Sequence, residues 1–321
     1  MHDIFLSIIL GIIEGLTEFL PVSSTAHLRI AELLFKIPPA DSYWKMYSVV
    51  IQLGAVLCLP TFFWSRIIKF IRTFPRGERG DRTLLTHPLS LVMIGFVCTA
   101  IPAFLLKKLI SAHLENFKVI GGSLVIGGAI MWAVDVLFAK PSSSPSQREN
   151  DDHPTLLDVM KGASASSAAV VEHEAPPIHA AGMEDISIFQ AIWIGLIQTL
   201  AAVFPGTSRS MATIAAGQVA GLSRAGALEF SFFLSIPTMF VACLYDLYKT
   251  IKPSKDDAGL APLHMTTQGW IVLLVGFIVS YIVALGVVAW FMHWVRRRGF
   301  VPFAIYRIII GVIVLLWLKN A

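Results

Sequence analysis

The chain has 321 residues, of which 55% are hydrophobic and only 14% are charged, and its formal net charge is +4. This composition is far more apolar than that of a soluble globular domain, so it predicts an integral membrane protein. The basic residues cluster at the ends of apolar runs, which favours a role in orienting the chain and excludes nucleic acid as an expected partner. The three cysteines are far apart in apolar runs and indicate neither a disulfide framework nor a metal cluster.

The first apolar segment, residues 4–35, carries ionisable groups at its centre. Glu14 and Glu18 precede Pro21, and His27 follows it. Ionisable side chains inside a membrane are costly and usually functional. Because proline ends or kinks a helix, we predict a broken helix whose second part begins near Ser24.

Six later runs approach or reach the length that a helix needs to cross a bilayer. They are residues 47–64, 89–106, 119–138, 230–247, 270–294 and 301–318. The loop after the first of these runs is strongly basic, so we expect this loop in the cytoplasm and both chain ends outside.

Residues 140–185 have a different composition, rich in serine, proline and alanine and without a sustained apolar period. We interpret them as a low-complexity, disordered cytoplasmic linker. This linker would separate a first membrane repeat, residues 1–139, from a second membrane repeat, residues 186–321.

A weak internal repeat relates the two halves. A shift of 184 positions places Gly11 on Gly195, Pro21 on Pro205 and Ser24 on Ser208. Three spans lie between the two broken segments, so the copies face opposite ways if each segment returns to its own side. The sequence therefore predicts an all-α polytopic helix bundle with an inverted-topology repeat, six transmembrane helices and two re-entrant helix pairs. In the alternative, each broken segment crosses fully and the repeats are parallel.

Glu14 and Glu18 are four residues apart, so both point to one face of a helix. Two carboxylates on one face can hold a divalent cation, or one can act as a general acid or base. The simpler alternative is that both are solvated at a membrane interface. An apolar run of this length favours function.

The hydroxyl residues after Pro21 indicate an anion site. Ser23, Ser24 and Thr25 would place hydroxyl and backbone N–H groups at a helix N-terminus, where phosphate binds readily. A minimal alternative is that one hydroxyl only caps the helix. His27 would lie on the same helix face as Ser24, where it could serve as base, acid or nucleophile.

The second copy of the repeat contains a similar hydroxyl-rich stretch after its proline, with a positively charged side chain in it. Arg209 lies in a hydroxyl-rich stretch with Ser208, Ser210 and Thr213. A guanidinium in this position suits bidentate recognition of phosphate and stabilisation of charge that develops during transfer. Its alternative role is a structural ion pair with Glu14 or Glu18.

Together these stretches resemble the undecaprenyl-pyrophosphate phosphatase family of bacteria, the bacitracin-resistance type. The resemblance covers residues 4–138 and 186–318. It is carried by the motifs Glu14-Gly-Leu-Thr-Glu18, Pro21-Val-Ser-Ser-Thr-Ala-His27, Pro205-Gly-Thr-Ser-Arg-Ser-Met-Ala-Thr213, Glu229-Phe-Ser-Phe and Phe300-Val-Pro-Phe-Ala-Ile-Tyr-Arg307.

The resemblance implies an inner-membrane enzyme that removes the terminal phosphate of a C55 isoprenyl diphosphate at a site facing the periplasm. The product is the lipid carrier for peptidoglycan synthesis. Catalytic roles are implied for Glu14, Glu18, Ser24, His27 and Arg209, with a divalent cation, Mg²⁺ or Ca²⁺, on the two glutamates. Phosphate contacts are implied for Ser23, Thr25, Ser208, Ser210 and Thr213.

Three questions stay open at this point. Ser24 could attack phosphorus with His27 as base, which we favour, or His27 could activate water or attack directly while Ser24 binds substrate. The chain could instead be a prenyl-phosphate flippase that uses the same phosphate-binding groups. The oligomeric state is also undetermined, with a homodimer as one alternative.

Overall fold

The computed structural model describes residues 2–38, 41–77, 80–113, 116–138, 183–252 and 265–320. These residues form α-helices and one short 3₁₀ turn, Met183–Asp185, and contain no β-strand. The prediction of an all-α fold is confirmed. Of the predicted linker, residues 140–185, only the last three lie within the described residues.

The helices are numbered in chain order through the described residues. Those of the first half are α1 His2–Thr17, α2 Ser24–Leu34, α3 Ser42–Val56, α4 Cys58–Phe62, α5 Trp64–Thr73, α6 Pro88–Leu105, α7 Lys107–His113 and α8 Phe117–Phe138. Those of the second half are α9 Ile188–Val203, α10 Arg209–Val219, α11 Arg224–Ile251, α12 Thr267–Arg298 and α13 Val301–Asn320.

Six segments are long and apolar enough to cross a membrane, in agreement with the six predicted runs. They are Ser42–Phe62, Pro88–Leu105, Phe117–Phe138, Arg224–Ile251, Thr267–Val295 and Val301–Lys319. The chain is therefore a multi-pass membrane protein.

The second broken segment is a helical hairpin. The Gln190 side chain, near the start of α9, donates a hydrogen bond to the Ala220 carbonyl just past the end of α10, at 2.8 Å. One turn further into the bundle, the Trp193 indole donates to the Ala216 carbonyl at 3.2 Å. Helix α10 therefore returns to the end of the bundle from which α9 starts.

The first broken segment has the same shape. Leu6 and Leu10 of α1 share a buried apolar cluster with Leu28 of α2. The start of α3 contacts both helices, because Tyr47 donates to the Ser7 carbonyl and Ser48 donates to Glu32, both at 2.8 Å. The start of α1, the end of α2 and the start of α3 thus lie at one end of the bundle.

The two hairpins enter from opposite ends. Phe63, at the far end of the α3–α4 span, packs against Phe233 near the start of α11. Close by, Arg66 forms ion pairs with Glu229 of α11 and with Glu184, just before α9. Helices α9 and α11 therefore begin where the α3–α4 span finishes. An inverted repeat needs this arrangement, while re-entry into a bilayer stays a prediction.

Each hairpin packs against the other half of the chain. Helix α1 packs along α12, and α9 packs along α6. Both contacts depend on glycine: a Cβ at Gly11 would meet the Gly276 carbonyl of α12, and a Cβ at Gly195 would meet the Gly95 backbone of α6. Gly11 and Gly195 are the pair that the shift of 184 aligns. Each hairpin is therefore held in the bundle by a helix from the other half of the chain.

We predict that Gly195→Ala destabilises the protein. The new Cβ would lie 2.9 Å from the Gly95 Cα, and still nearer its carbonyl oxygen, so α6 and α9 must separate. Overpacking of this kind costs about 1–3 kcal/mol of unfolding free energy. Thermal unfolding in detergent measures the change.

Gly286→Ala is the matched control, since a Cβ at that position of α12 meets no atom within 4 Å. The control should unfold at the wild-type temperature or slightly above it, because alanine favours helix. Equal unfolding temperatures for Gly195→Ala and the wild type would show that the close approach is not required.

Candidate active site

The second helix of each hairpin, α2 or α10, is capped by a serine in an unusual backbone conformation. Ser23 caps α2 with φ of 75°, and Ser208 caps α10 with φ of 70°. Each side chain accepts a hydrogen bond from a backbone N–H three residues on, of Ala26 and Met211 respectively, at 3.4 Å. Positive φ is unfavourable for a residue with a Cβ, so the surrounding contacts must enforce both turns.

The caps correct one detail of the sequence alignment. The shift of 184 pairs Ser24 with Ser208, but the caps correspond by 185, because the second turn has one more residue between its proline and its cap. Ser24 and Arg209 therefore occupy the same position, the first residue of each restarted helix.

Glu18 connects the N-terminal ends of α2 and α10. The Ser24 hydroxyl donates a hydrogen bond to Glu18 Oε2 at 2.5 Å, and Arg209 Nη2 donates to Glu18 Oε1 at 2.8 Å. Glu18 is 6% exposed and Ser24 is 7% exposed, so both interactions are shielded from water. The ion pair suggested by sequence is formed, and it connects residues from opposite halves of the chain.

Glu14 lies next to this cluster, with its carboxyl group against that of Glu18 and without a hydroxyl, amide or guanidinium donor among the described residues. Its carboxyl group is fully buried beside Glu18 and within electrostatic range of Arg209. Neither Glu14 oxygen has a hydrogen-bond partner among the described residues, and the same is true of Arg209 Nε and Nη1. Unpaired buried polar groups are expensive, so this arrangement is typical of a site that a ligand completes.

Glu14 and Glu18 supply some, but not all, of the ligands that a hard divalent cation needs. Carboxylate oxygens of Glu14 and Glu18 are suitable ligands for Mg²⁺ or Ca²⁺. The described residues contain no group of three or more His, Cys, Asp or Glu side chains that could hold a metal ion. The two glutamates would therefore need further oxygen ligands from a substrate or from water.

His27 does not bond to Ser24. Its Nδ1 lies 2.7 Å from the Ser23 carbonyl, and its Nε2 lies 2.8 Å from the Tyr306 hydroxyl. Since a carbonyl only accepts, Nδ1 carries a proton, and a neutral ring accepts at Nε2 from Tyr306. Tyr306 was not among the site residues predicted from the sequence, although it lies in one of the matched motifs.

The remaining predicted contacts differ in accessibility. Ser210 is buried, with its hydroxyl 3.0 Å from that of Ser208, and donates to the Leu20 carbonyl at 3.1 Å. Thr213 is 1% exposed, and its hydroxyl lies 2.6 Å from that of Ser231 on α11. These two hydroxyls support the second turn, whereas Thr25 is half-buried in the first turn of α2.

Sequence reasoning also missed Arg307, which lies in the last span. Its guanidinium donates to the Pro21 carbonyl at 3.0 Å and to the Gly206 carbonyl at 2.9 Å, so it contacts both turns. A signal was present in the sequence, because an arginine within an apolar span is rare.

Fold and site together define a class: a helical membrane protein with a buried cluster of Glu18, Ser24 and Arg209 that is divided between two halves of the chain. A family model described as bacitracin resistance protein BacA matches residues 7–313. The chain belongs to that family, as the resemblance predicted.

Several relatives extend over nearly the whole chain. A protein of Koribacter versatilis named undecaprenyl-diphosphatase is 55% identical over 319 residues, 99% of each chain. A protein of the same name from a Bradyrhizobium species is 35% identical and covers 97% of this chain and 96% of its own. One from Lactobacillus delbrueckii subsp. bulgaricus is 33% identical and covers 98% and 97%.

Proposed function

We propose that this chain is an integral-membrane phosphatase that hydrolyses undecaprenyl diphosphate to undecaprenyl phosphate and phosphate. The observation that carries the proposal is the meeting of two helix N-termini at Glu18, with Ser24 and Arg209 in equivalent positions. Helix N-termini bind phosphate, and relatives that match nearly the whole chain are named for this activity. The product is the lipid carrier of peptidoglycan synthesis, and its recycling accounts for bacitracin resistance.

The contacts of Ser24 support its role as nucleophile. Its hydroxyl points at Glu18, which is therefore placed to take the proton while Oγ attacks the terminal phosphorus. The new Oγ–P bond replaces the P–O bond to the leaving undecaprenyl phosphate, and water then hydrolyses the phosphoserine. Because both nitrogens of His27 have other partners, the contacts favour Glu18 over His27 as the base.

Arg209 has donors left for the substrate. One of its nitrogens holds Glu18, while Nε and Nη1 have no partner within the described part of the chain. Planar guanidinium donors match phosphate oxygens, and they stabilise negative charge best in a site shielded from water. We assign Arg209 to the oxygens of the transferred phosphoryl group.

We assign a divalent cation, Mg²⁺ or Ca²⁺, to Glu14 and Glu18. Such an ion neutralises charge on the diphosphate when it is bound. The support for it is the fully buried Glu14 carboxylate, whose oxygens have no donor among the described residues. Carboxylates that bind Mg²⁺ beside a phosphate substrate commonly leave the other positions to phosphate oxygens and water.

We infer a location in the bacterial inner membrane with the site open to the periplasm. Helix α10 is buried from Ser210 to Gln218, whereas α2 leaves His27 and Glu32 partly exposed. The more exposed side of the site is therefore the one towards the end of the bundle where α1 starts and α2 ends. The basic loop after the α3–α4 span lies at the other end, which the distribution of Lys and Arg assigns to the cytoplasm.

The proposal predicts phosphate release from a C15 prenyl diphosphate by the purified full-length chain in detergent. Ser24→Ala and Arg209→Lys should each lower kcat/KM by about 10²–10³-fold, since each removes a group that acts on the reacting phosphate. Thr250→Ala and Arg72→Lys are matched controls, because Arg72 is exposed, Thr250 is partly exposed, and neither residue contacts the site.

The same assay separates the phosphatase from a flippase, because detergent provides no second leaflet. Intact binding of the lipid without phosphate release would favour the flippase and overturn the enzyme. A reaction with substrate labelled with ³²P at the terminal phosphate, quenched with SDS at neutral pH, should place an acid-stable label on Ser24, and an acid-labile label on His27 would reverse the assignment of the nucleophile.

Removal of divalent cations should abolish the activity. Exhaustive chelation is expected to stop phosphate release, and added Mg²⁺ or Ca²⁺ should restore it. Glu14→Gln should need more cation for half-maximal rate, because it removes one carboxylate ligand. Full activity after chelation, with the metal content checked by mass spectrometry, would eliminate the cation but leave the role of Ser24 intact.

A further inference from the structure

Arg307 is an arginine buried at the centre of the bundle, where charge is most costly. It is 0% exposed and belongs to α13, one of the six segments long enough to span a membrane. None of the ion pairs in the described part of the chain involves it. Its hydrogen bonds go to three backbone carbonyls, those of Pro21, Gly206 and Ser123, at 3.0, 2.9 and 3.3 Å.

Two of these carbonyls belong to the turns that break the two hairpins. Pro21 and Gly206 each lie two residues before a cap serine, Ser23 and Ser208, whose φ is positive. Arg307 therefore contacts the first half and the second half of the chain at equivalent points. A guanidinium can do this because its planar fork presents several donors in fixed directions.

The neighbouring helix leaves space for this side chain. A Cβ at Gly127 of α8 would lie 3.2 Å from Arg307 Cζ and still closer to Nη2, and it would lie 2.9 Å from the flexible end of Met211. A Cβ at Gly122, on the same helix, would meet no atom within 4 Å. The guanidinium therefore lies in space that is free because Gly127 has no side chain.

A purely structural role accounts poorly for this arrangement. Burying an arginine inside a membrane carries a large free-energy penalty, and apolar packing could join the helices without that penalty. Arg307 Nε also has no partner among the described residues. What apolar packing cannot supply is a set of directed hydrogen bonds to two separate turns.

We propose that Arg307 is a positioning residue that fixes the Pro21 and Gly206 turns relative to each other. It thereby aligns Ser24 at the start of α2 with Arg209 at the start of α10. This inference rests on the proposed phosphatase function. Arg307 acts through the turns and does not touch the substrate.

The first test compares Arg307→Lys and Arg307→Met in the full-length chain, with C15 diphosphate as substrate. Lysine keeps the charge but loses the fork, so both variants should lose kcat about 10²-fold, as expected for a misplacement near 1 Å. KM should change much less, since no substrate contact is removed. Rates are expressed per folded molecule, with the folded fraction taken from size-exclusion chromatography and thermal unfolding.

The second test keeps arginine at position 307 but displaces its guanidinium by a substitution on the neighbouring helix. Gly127→Ala should lower kcat in the same way, because its Cβ would occupy the space of the guanidinium. Gly122→Ala makes the same chemical change on the same helix in open space and should keep the wild-type kcat.

A third measurement does not depend on activity. Hydrogen exchange followed by mass spectrometry should show faster exchange in Arg307→Lys at residues 19–24 and 205–209 together, with the rest of the bundle unchanged. Wild-type kcat per folded molecule in Arg307→Lys and Gly127→Ala, or unchanged exchange in the two turns, would overturn the inference. An inactive wild type would instead overturn the proposed function, and the exchange experiment would still decide the role of Arg307.

Discussion

Glu18 holds hydrogen bonds from Ser24 and Arg209 at once, and the candidate site depends on this contact. The three residues come from two hairpins separated by more than half of the chain, and none is well exposed to water. An unpaired carboxylate in this environment would be strongly unfavourable, so the negative charge of Glu18 draws the serine and the guanidinium together. The same contact leaves Glu14 and two nitrogens of Arg209 without a hydrogen-bond partner among the described residues, as the proposed binding of a phosphate and a cation would require.

The rest of the fold can be understood as the means of bringing two helix N-termini to one point inside an apolar bundle. Each hairpin packs by glycine contacts on a span of the other half, so neither half builds its own site. Broken helices expose backbone groups that lipid cannot satisfy, and here protein groups contact them: Arg307 binds two turn carbonyls and Ser210 binds a third. Stability and the geometry of the site therefore depend on the same interactions.

The sequence predicted the spans and the broken segments well, because hydropathy and proline act locally and leave a direct pattern. It also predicted the residues that meet at the site, since charged groups in apolar runs are few. It placed the second copy one residue out of register at the caps, because a one-residue difference in a turn leaves no hydropathy signal. The partners of His27 and Arg307 on other helices were missed for another reason: they lie between 101 and 286 positions away in the chain, and only tertiary packing brings them together.

The most direct test of this account is an experimental structure of the full-length chain with a methylene-bridged, non-hydrolysable prenyl diphosphate and Mg²⁺. The account predicts the terminal phosphonate between the starts of α2 and α10, within hydrogen-bonding distance of Ser24 Oγ and the free nitrogens of Arg209. The cation should contact Glu14 and Glu18. A phosphonate bound elsewhere, with Ser24 and Arg209 both still paired only to Glu18, would contradict the divided site.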